Sequence, residues 1–170
     1  DFIWSIYEDS GGSLWIGTTD GLNKFDRKNE KFIHYKNQVD NSQSLSHSSI
    51  RSIYEDSGGN MWIGTRSGGL NQFDRKTGTF TRCQHQANNP HSLSNNVVTS
   101  FFEDADSNLW IGTFAGLNKW DNKSETFTGY QHQADDPQSI SHNKVISLLE
   151  DSAGSLWIGT LGGLNKFSRK

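Results

Sequence analysis

One motif recurs four times along this chain, and the spacing of its copies constrains the fold before any other property is considered. The tetrapeptide Trp-Ile-Gly-Thr starts at Trp15, Trp62, Trp110 and Trp157, at intervals of 47, 48 and 47 residues. Ahead of each copy stands a relative of Ser-Ile-Tyr-Glu-Asp-Ser-Gly-Gly, beginning at Ser5, Ser52, Ser100 and Ser147. A fixed period of this length marks a repeat architecture, in which each copy is one supersecondary unit that buries its apolar surface against its neighbours. The one extra residue of the second copy falls within Arg66-Ser67-Gly68-Gly69, which marks that segment as a loop.

Within a repeat the pattern predicts four short β-strands: Ile3 to Glu8, Leu14 to Thr18, Leu22 to Asp26 and Lys31 to Tyr35. Tight polar turns at Asp9 to Ser13 and Arg27 to Glu30 join the outer pairs, and a long polar connection, Lys36 to Ser49, leads to the next copy. Helical periodicity is absent, and Gly, Asn and Ser interrupt the chain every few residues, so the fold class is all-β. Leu14-Trp15-Ile16 is apolar at consecutive positions, so both faces of its strand must be covered. A radial blade clamped between two neighbours meets that demand.

The expected architecture is therefore a partial β-propeller over residues 1–170, built from four-stranded antiparallel blades with repeats at 1–47, 48–95, 96–142 and 143–170. The fourth copy supplies Val145 to Leu149, Leu156 to Thr160 and Leu164 to Phe167 and shows no Phe-x-x-Tyr strand. About 3.6 periods of 47 residues predict a partial ring, either a fragment of a longer chain or half of a homo-oligomeric ring of about eight blades.

With 32% hydrophobic residues the chain is polar, so burial must depend on six Trp, ten Phe and four Tyr. Sixteen Lys plus Arg against nineteen Asp plus Glu give a net charge of −3, and neither nucleic acid nor direct membrane contact is expected. No stretch approaches the length of an apolar span, and Asp1-Phe2-Ile3-Trp4 carries no basic leader, so any targeting signal is expected to lie elsewhere or to have been removed. Cys83 is the single cysteine and leaves the redox compartment open; it stands where Tyr35 and Tyr130 stand, so a buried packing role is expected.

The ordered string Ser-Ile-Tyr-Glu-Asp-Ser-Gly-Gly, Leu-Trp-Ile-Gly-Thr, Gly-Leu-Asn-Lys-Phe-Asp and a closing Phe-x-x-Tyr resembles the two-component regulator propeller repeat of bacterial hybrid histidine kinase sensors. The resemblance covers nearly the whole chain. It implies a periplasmic or extracellular ligand-sensing domain, often recognising carbohydrate, joined in its parent to a membrane span and a signalling module.

Candidates for chemistry read better as structure. The pairs Glu8/Asp9, Glu55/Asp56, Glu103/Asp104 and Glu150/Asp151 head Gly-containing or polar turns, where an Asp caps its own backbone. The turn Asp104 to Asn108 opens like a calcium loop but lacks the Gly and the distal Glu. His85 and His132 occupy one position in successive repeats, and no metal-binding His spacing or G-x-S-x-G elbow occurs. No catalytic residue, metal or cofactor is expected. The four repeat Trp residues are expected in the core, as is Trp120, which replaces Phe25, Phe73 and Phe167. Trp4 aligns with Arg51, Thr99 and Ile146, a variable position.

Alternating strand direction places the loops between second and third strands on one face with the connections between blades, and the hairpin turns on the other. The former loops diverge as Thr19/Asp20, Arg66/Ser67, Phe114/Ala115 and Leu161/Gly162. Together with the starts of the first strands they give the expected ligand-binding residues: Trp4, Asp20, Arg51, Arg66, Asn96, Phe114, Asn143 and Lys144. Aromatic, cationic and amide groups of this kind suit an oligosaccharide or another small polar ligand. The alternative reading is an interaction scaffold that completes a ring by oligomerisation, and a weaker one is a propeller lyase, which would need a clustered His and carboxylate.

Overall fold

Fifteen β-strands account for the regular structure in the computed structural model, which describes residues 2–168. They are β1 (Ile3–Glu8), β2 (Leu14–Thr18), β3 (Gly21–Asp26), β4 (Lys31–Tyr35), β5 (Ile50–Glu55), β6 (Met61–Thr65), β7 (Leu70–Asp74), β8 (Thr79–Cys83), β9 (Val98–Glu103), β10 (Leu109–Thr113), β11 (Gly116–Asp121), β12 (Thr126–Tyr130), β13 (Val145–Glu150), β14 (Ser155–Thr160) and β15 (Gly163–Ser168). Consecutive strands pair antiparallel into sheets β1–β4, β5–β8, β9–β12 and β13–β15. Each sheet is one blade, as the repeat predicts, and strand limits shift by at most one residue from the expected ones. The outermost positions of the first and last repeats, Asp1 and Lys170, lie outside the described residues. The chain divides into two units, one ending at Cys83 and the other beginning at Gln84, each holding two blades.

A single hydrogen-bond device shapes every blade. The turn Asp accepts the indole N–H of the repeat Trp: Asp9 from Trp15 at 2.8 Å, Asp56 from Trp62 at 2.8 Å, Asp104 from Trp110 at 2.8 Å and Asp151 from Trp157 at 2.7 Å. The other carboxylate oxygen accepts the backbone N–H four residues on, from Ser13, Asn60, Asn108 and Ser155. One side chain thus closes the first hairpin and satisfies the polar end of a large aromatic that would otherwise bury an unpaired donor. The Asp carboxylates of the Glu-Asp pairs are occupied by this work, including Asp104 of the calcium-like turn, whose oxygens also meet the Asn108 amide.

Across the blade the repeat Asn does the same for the connection. Its side-chain N–H donates to the carbonyl of the Ile in Trp-Ile-Gly-Thr, and its oxygen accepts a backbone N–H from the preceding connection: Asn71 from Ser46, Asn118 from Ser94 and Asn165 from Ser141, at 2.8–2.9 Å. The connection read from sequence as simply polar is more than that. It carries Leu45, Leu93 and Ile140, all buried, and within each unit Leu45 and Ile140 join the core between two blades. Side chains eight residues earlier make this tolerable by covering the carbonyl of the buried residue. Asn37 donates to Leu45 O at 2.7 Å, and the His85 and His132 rings meet Leu93 O and Ile140 O at 2.9 and 2.8 Å.

In the first unit the two blades meet face to face, with Trp15, Leu22, Leu45, Tyr7 and Tyr35 from one side against Ile50, Ile53, Ile63, Phe73 and Phe80 from the other. In the second unit Trp110, Leu117, Ile140 and Phe102 pack on Val145, Leu148, Leu156 and Ile158. The glycine of Trp-Ile-Gly-Thr sets how near the next blade can come. A Cβ on Gly17 would lie 2.7 Å from Ile50 Cγ2 and also strike Ser5 Oγ, and one on Gly112 would lie 2.9 Å from Val145 Cγ1 and strike Ser100 Oγ.

Trp15, Trp62 and Trp110 are buried as expected, whereas Trp157 and Trp120 are half-buried. Cys83 is also half-buried rather than enclosed, because β8 is an outer strand and Cys83 is its last residue.

The first unit has one further tie. Arg75 bridges Asp9 at 2.7 Å and Glu55 at 2.6 Å, and Glu55 accepts from the Ser10 amide and hydroxyl at 2.6 and 2.8 Å. Burial pushes the Asp9 carboxyl up, but the bonds from Trp15, Arg75 and Ser13 together hold it below the ordinary Asp value.

Two outcomes follow. Trp15→Ala should cost about 3–5 kcal/mol in urea unfolding, and Trp157→Ala, at a half-buried site, distinctly less. Because the folded-state Asp9 value is depressed, the stability it carries is complete above the unfolded value near pH 4 and is lost as pH falls through the folded one. Urea midpoints of the first unit should hold from pH 7 to about 5 and fall below about 4, with Arg75→Ala moving that fall to higher pH.

Candidate ligand-binding face

The two ends of a blade differ in what ties them. At one end Arg27 pairs with Glu8 at 3.0 Å, joining the two hairpin turns of the first blade. At the other, the loop after the second strand donates back to the residue ahead of the first strand: Thr19 to Phe2 O, Arg66 to Ser49 O, Phe114 to Val97 O and Leu161 to Lys144 O, at 2.9–3.2 Å. The variable loops and the starts of the first strands therefore share one end in every blade.

At that end each first strand carries a β-bulge. Pairing slips between Ile3 and Ser5, between Ile50 and Ser52, between Val98 and Ser100, and between Val145 and Ser147. The residues skipped are Trp4, Arg51, Thr99 and Ile146. A bulge frees one side chain from the alternation of the strand and re-aims it, so the variable position is the one position of β1, β5, β9 and β13 released from the ladder.

In the first unit the bulge residues of neighbouring blades meet. The Arg51 guanidinium lies 5.7 Å from the centroid of the Trp4 ring, which is 51% exposed, a cation over an aromatic face with the ring still open to solvent. Asp20 is engaged elsewhere, in an ion pair of 2.5 Å with Lys36, and Arg66 is exposed.

In the second unit Lys144 Nζ lies 5.4 Å from the Phe114 ring centroid, a second cation–aromatic pair built from the variable loop of one blade and the first-strand start of the next. Thr99 is turned inward and donates to Val145 O at 2.9 Å. Asn96 and Asn143 have a structural duty: their oxygens accept the amides of His85 and His132 at 2.8 and 2.6 Å and so hold the connections between blades.

Sequence reasoning missed Lys36 and Gln131. They occupy one position, the first residue after the fourth strand, and reach the loop after the second strand, Lys36 at Asp20 and Gln131 at Ala115 O (2.8 Å). The change of that position from Lys36 to Gln84 and Gln131 was the available signal. Among the described residues no group of three or more His, Cys, Asp or Glu is placed to hold a metal ion. Among the same residues no helix is long and apolar enough to cross a membrane.

Comparison with known proteins agrees with this geometry. The sequence model of the two component regulator propeller matches residues 1–20, 44–67, 92–115 and 139–162, each match running through the repeat Trp to the variable loop and the last three starting in a connection. No curated protein matches the chain in sequence. Among solved structures it is similar to the extracellular domain of the hybrid two component system BT3049 from B. thetaiotaomicron, at 31% identity and a TM-score of 0.86, over 98% of this chain and 23% of that one. It is likewise similar to the extracellular domain of the hybrid two component system BT4673 from the same organism, at 26% identity and 0.81, over 99% of this chain and 22% of that one. Virginiamycin B lyase from Staphylococcus aureus shares the fold alone, at 13% identity and 0.64, over 98% of this chain and 55% of that one. The chain thus spans less than a quarter of the two extracellular domains it matches.

The duty assigned to Asn96 and Asn143 is open to measurement. Asn96→Ala should leave the His85 amide without its acceptor and cost about 1–2 kcal/mol in denaturant unfolding, whereas Arg66→Ala at the same end should change stability by less than about 0.5 kcal/mol.

Proposed function

Because the chain belongs to the two component regulator propeller family, we propose that it is a non-catalytic, ligand-binding part of an extracellular or periplasmic sensor, and that it takes an oligosaccharide at the end of the blades where the bulges lie. The observation that carries this reading is the coincidence of the bulge with the variable position. The position released from pairing differs in all four copies, and it is exposed Trp4 in one blade and Arg51 in the next.

The chemistry fits a sugar. An open indole face stacks on the apolar C–H face of a pyranose, and guanidinium and ammonium groups donate to hydroxyl or carboxylate oxygens. In the first unit this end carries Arg51 and Arg66 beside the Asp20–Lys36 ion pair. The turn carboxylates are committed to indole and backbone donors at the opposite end, which supports binding over turnover.

A second reading is an interaction scaffold whose edges and faces hold protein subunits together, and it expects no glycan at the bulged end.

Calorimetric titration with neutral and uronate-containing oligosaccharides, run beside light scattering, separates the two. The sensor reading expects saturable heat with at least one glycan of the panel and at least a tenfold rise in Kd for Trp4→Ala. Absence of heat across the panel, together with an oligomer of defined mass, would favour the scaffold.

A further inference from the structure

Three residues ahead of β5, β9 and β13 stand His47, Asn95 and His142, and each accepts the backbone N–H two residues on. Ser49 N–H donates to His47 Nδ1 at 2.9 Å, Val97 N–H to Asn95 Oδ1 at 2.8 Å and Lys144 N–H to His142 Nδ1 at 2.9 Å. An amide only donates, so the ring nitrogen facing it carries a lone pair, and His47 and His142 are held as the Nε2–H tautomer. His85 and His132 are wired the opposite way. Their Nδ1 faces the carbonyl oxygens of Leu93 and Ile140 and so carries the proton. A second proton on the imidazole therefore leaves the bonds of His85 and His132 in place and abolishes those of His47 and His142.

What the latter bonds hold is the bulged end of the blade. The residue that donates to the ring also accepts from the variable loop, Ser49 O from Arg66 N–H at 2.9 Å and Lys144 O from Leu161 N–H at 3.0 Å. The loop in turn presses on the histidine: a Cβ on Gly68 would lie 2.7 Å from His47 Cβ, and one on Gly162 would lie 2.7 Å from His142 Cβ. Two residues beyond Ser49 stands the bulge residue Arg51, and Lys144 itself places its ammonium over Phe114. Building on the reading of this end as the ligand-binding one, we propose that His47 and His142 are proton-sensitive latches, closed while the ring is neutral and released when it is protonated. Asn95 makes the same bond with an oxygen that does not titrate, and its latch is permanent.

The groups around each ring do not offset the loss. About His47 the charged groups are Arg66 on the loop, Arg51 on β5, the Lys36–Asp20 pair of the preceding blade, and Asp40 in the exposed turn closed by Asn41 N–H to Gln38 O. About His142 they are Lys144, the His132 ring on Ile140 O, and exposed Asp135 and Asp136, while the Leu161-Gly162 loop is uncharged. Among the described residues no acid forms an ion pair with either ring, so a protonated ring gives up the amide without gaining a carboxylate. Both rings are half-buried, and water takes over the freed N–H. The release is therefore local, and the urea midpoints of the first unit do not follow it.

The test compares the 170-residue protein with its double variant His47→Asn/His142→Asn, which puts the Asn of the third copy at both positions. At about pH 7.5, nitrogen-15 NMR of the rings should show His47 and His142 as the Nε2–H tautomer and His85 and His132 as the Nδ1–H tautomer. From about pH 7.5 to about 5, protection of the Ser49 and Lys144 amides against hydrogen exchange, taken relative to Val97 in the same sample, should fall about fivefold in the parent and stay level in the variant. Over the same range the Kd of a glycan that binds in the neutral and uronate-containing panel should rise about threefold in the parent and less in the variant. An Nδ1–H tautomer at His47 and His142 overturns the latch. So do Ser49 and Lys144 amides that keep their protection at low pH or lose it equally in both proteins, and so does a Kd that rises as much in the variant as in the parent. A panel without heat, alongside rings and amides that behave as stated, supports the latch and sinks only the ligand-binding reading of this end.

Discussion

The bond from a turn carboxylate to a buried indole is the contact on which each blade depends. Aromatic residues are the main apolar units in so polar a chain, and Trp is the largest of them, but its N–H cannot be buried without an acceptor. The Asp that closes the first hairpin supplies one, so turn geometry and core burial are fixed by one side chain. The consequence reaches the site. With the hairpin end of the blade committed to this bond, and in the first unit to the Arg75 bridges as well, the opposite end is left to vary.

Much of this was legible in the sequence because the repeat did the work that an alignment would otherwise do. Positions that recur four times are structural, and Trp15, Asn71 and Gly112 behave so. The strands, the turn duty of the Glu-Asp pairs and the shared end of the variable loops could be read from spacing and alternation alone. Other features could not. Leu45, Leu93 and Ile140 sit singly among polar residues, and nothing in local periodicity says that the connection dips into the core. Their burial depends on carbonyls being covered by Asn37, His85 and His132, contacts made across eight residues of irregular chain.

The candidate site was legible as a set of positions and less so as a set of roles. Variation between copies found Trp4, Arg51, Phe114 and Lys144, and these form cation–aromatic pairs. The same reasoning chose Asn96 and Asn143, which share an identity across copies because they hold the connections. It overlooked Lys36 and Gln131, whose importance comes from reaching across to a neighbouring loop. Likewise the half-buried state of Cys83 and Trp157 follows from which neighbour covers an outer strand or a blade face, a property of the assembly of repeats and not of any one copy.

The bulge in each first strand has an evolutionary meaning. A residue inside a ladder is judged by two partners at once, so most replacements there are removed before they can be tried against a ligand. A residue skipped by the ladder is judged by neither. Duplication of such a unit multiplies scaffold and freedom together, and every added blade brings one more position that can drift without unfolding its host. Trp4, Arg51, Thr99 and Ile146 fill that place with four different side chains, and only Thr99 has gone back to structural work, by donating to Val145 O.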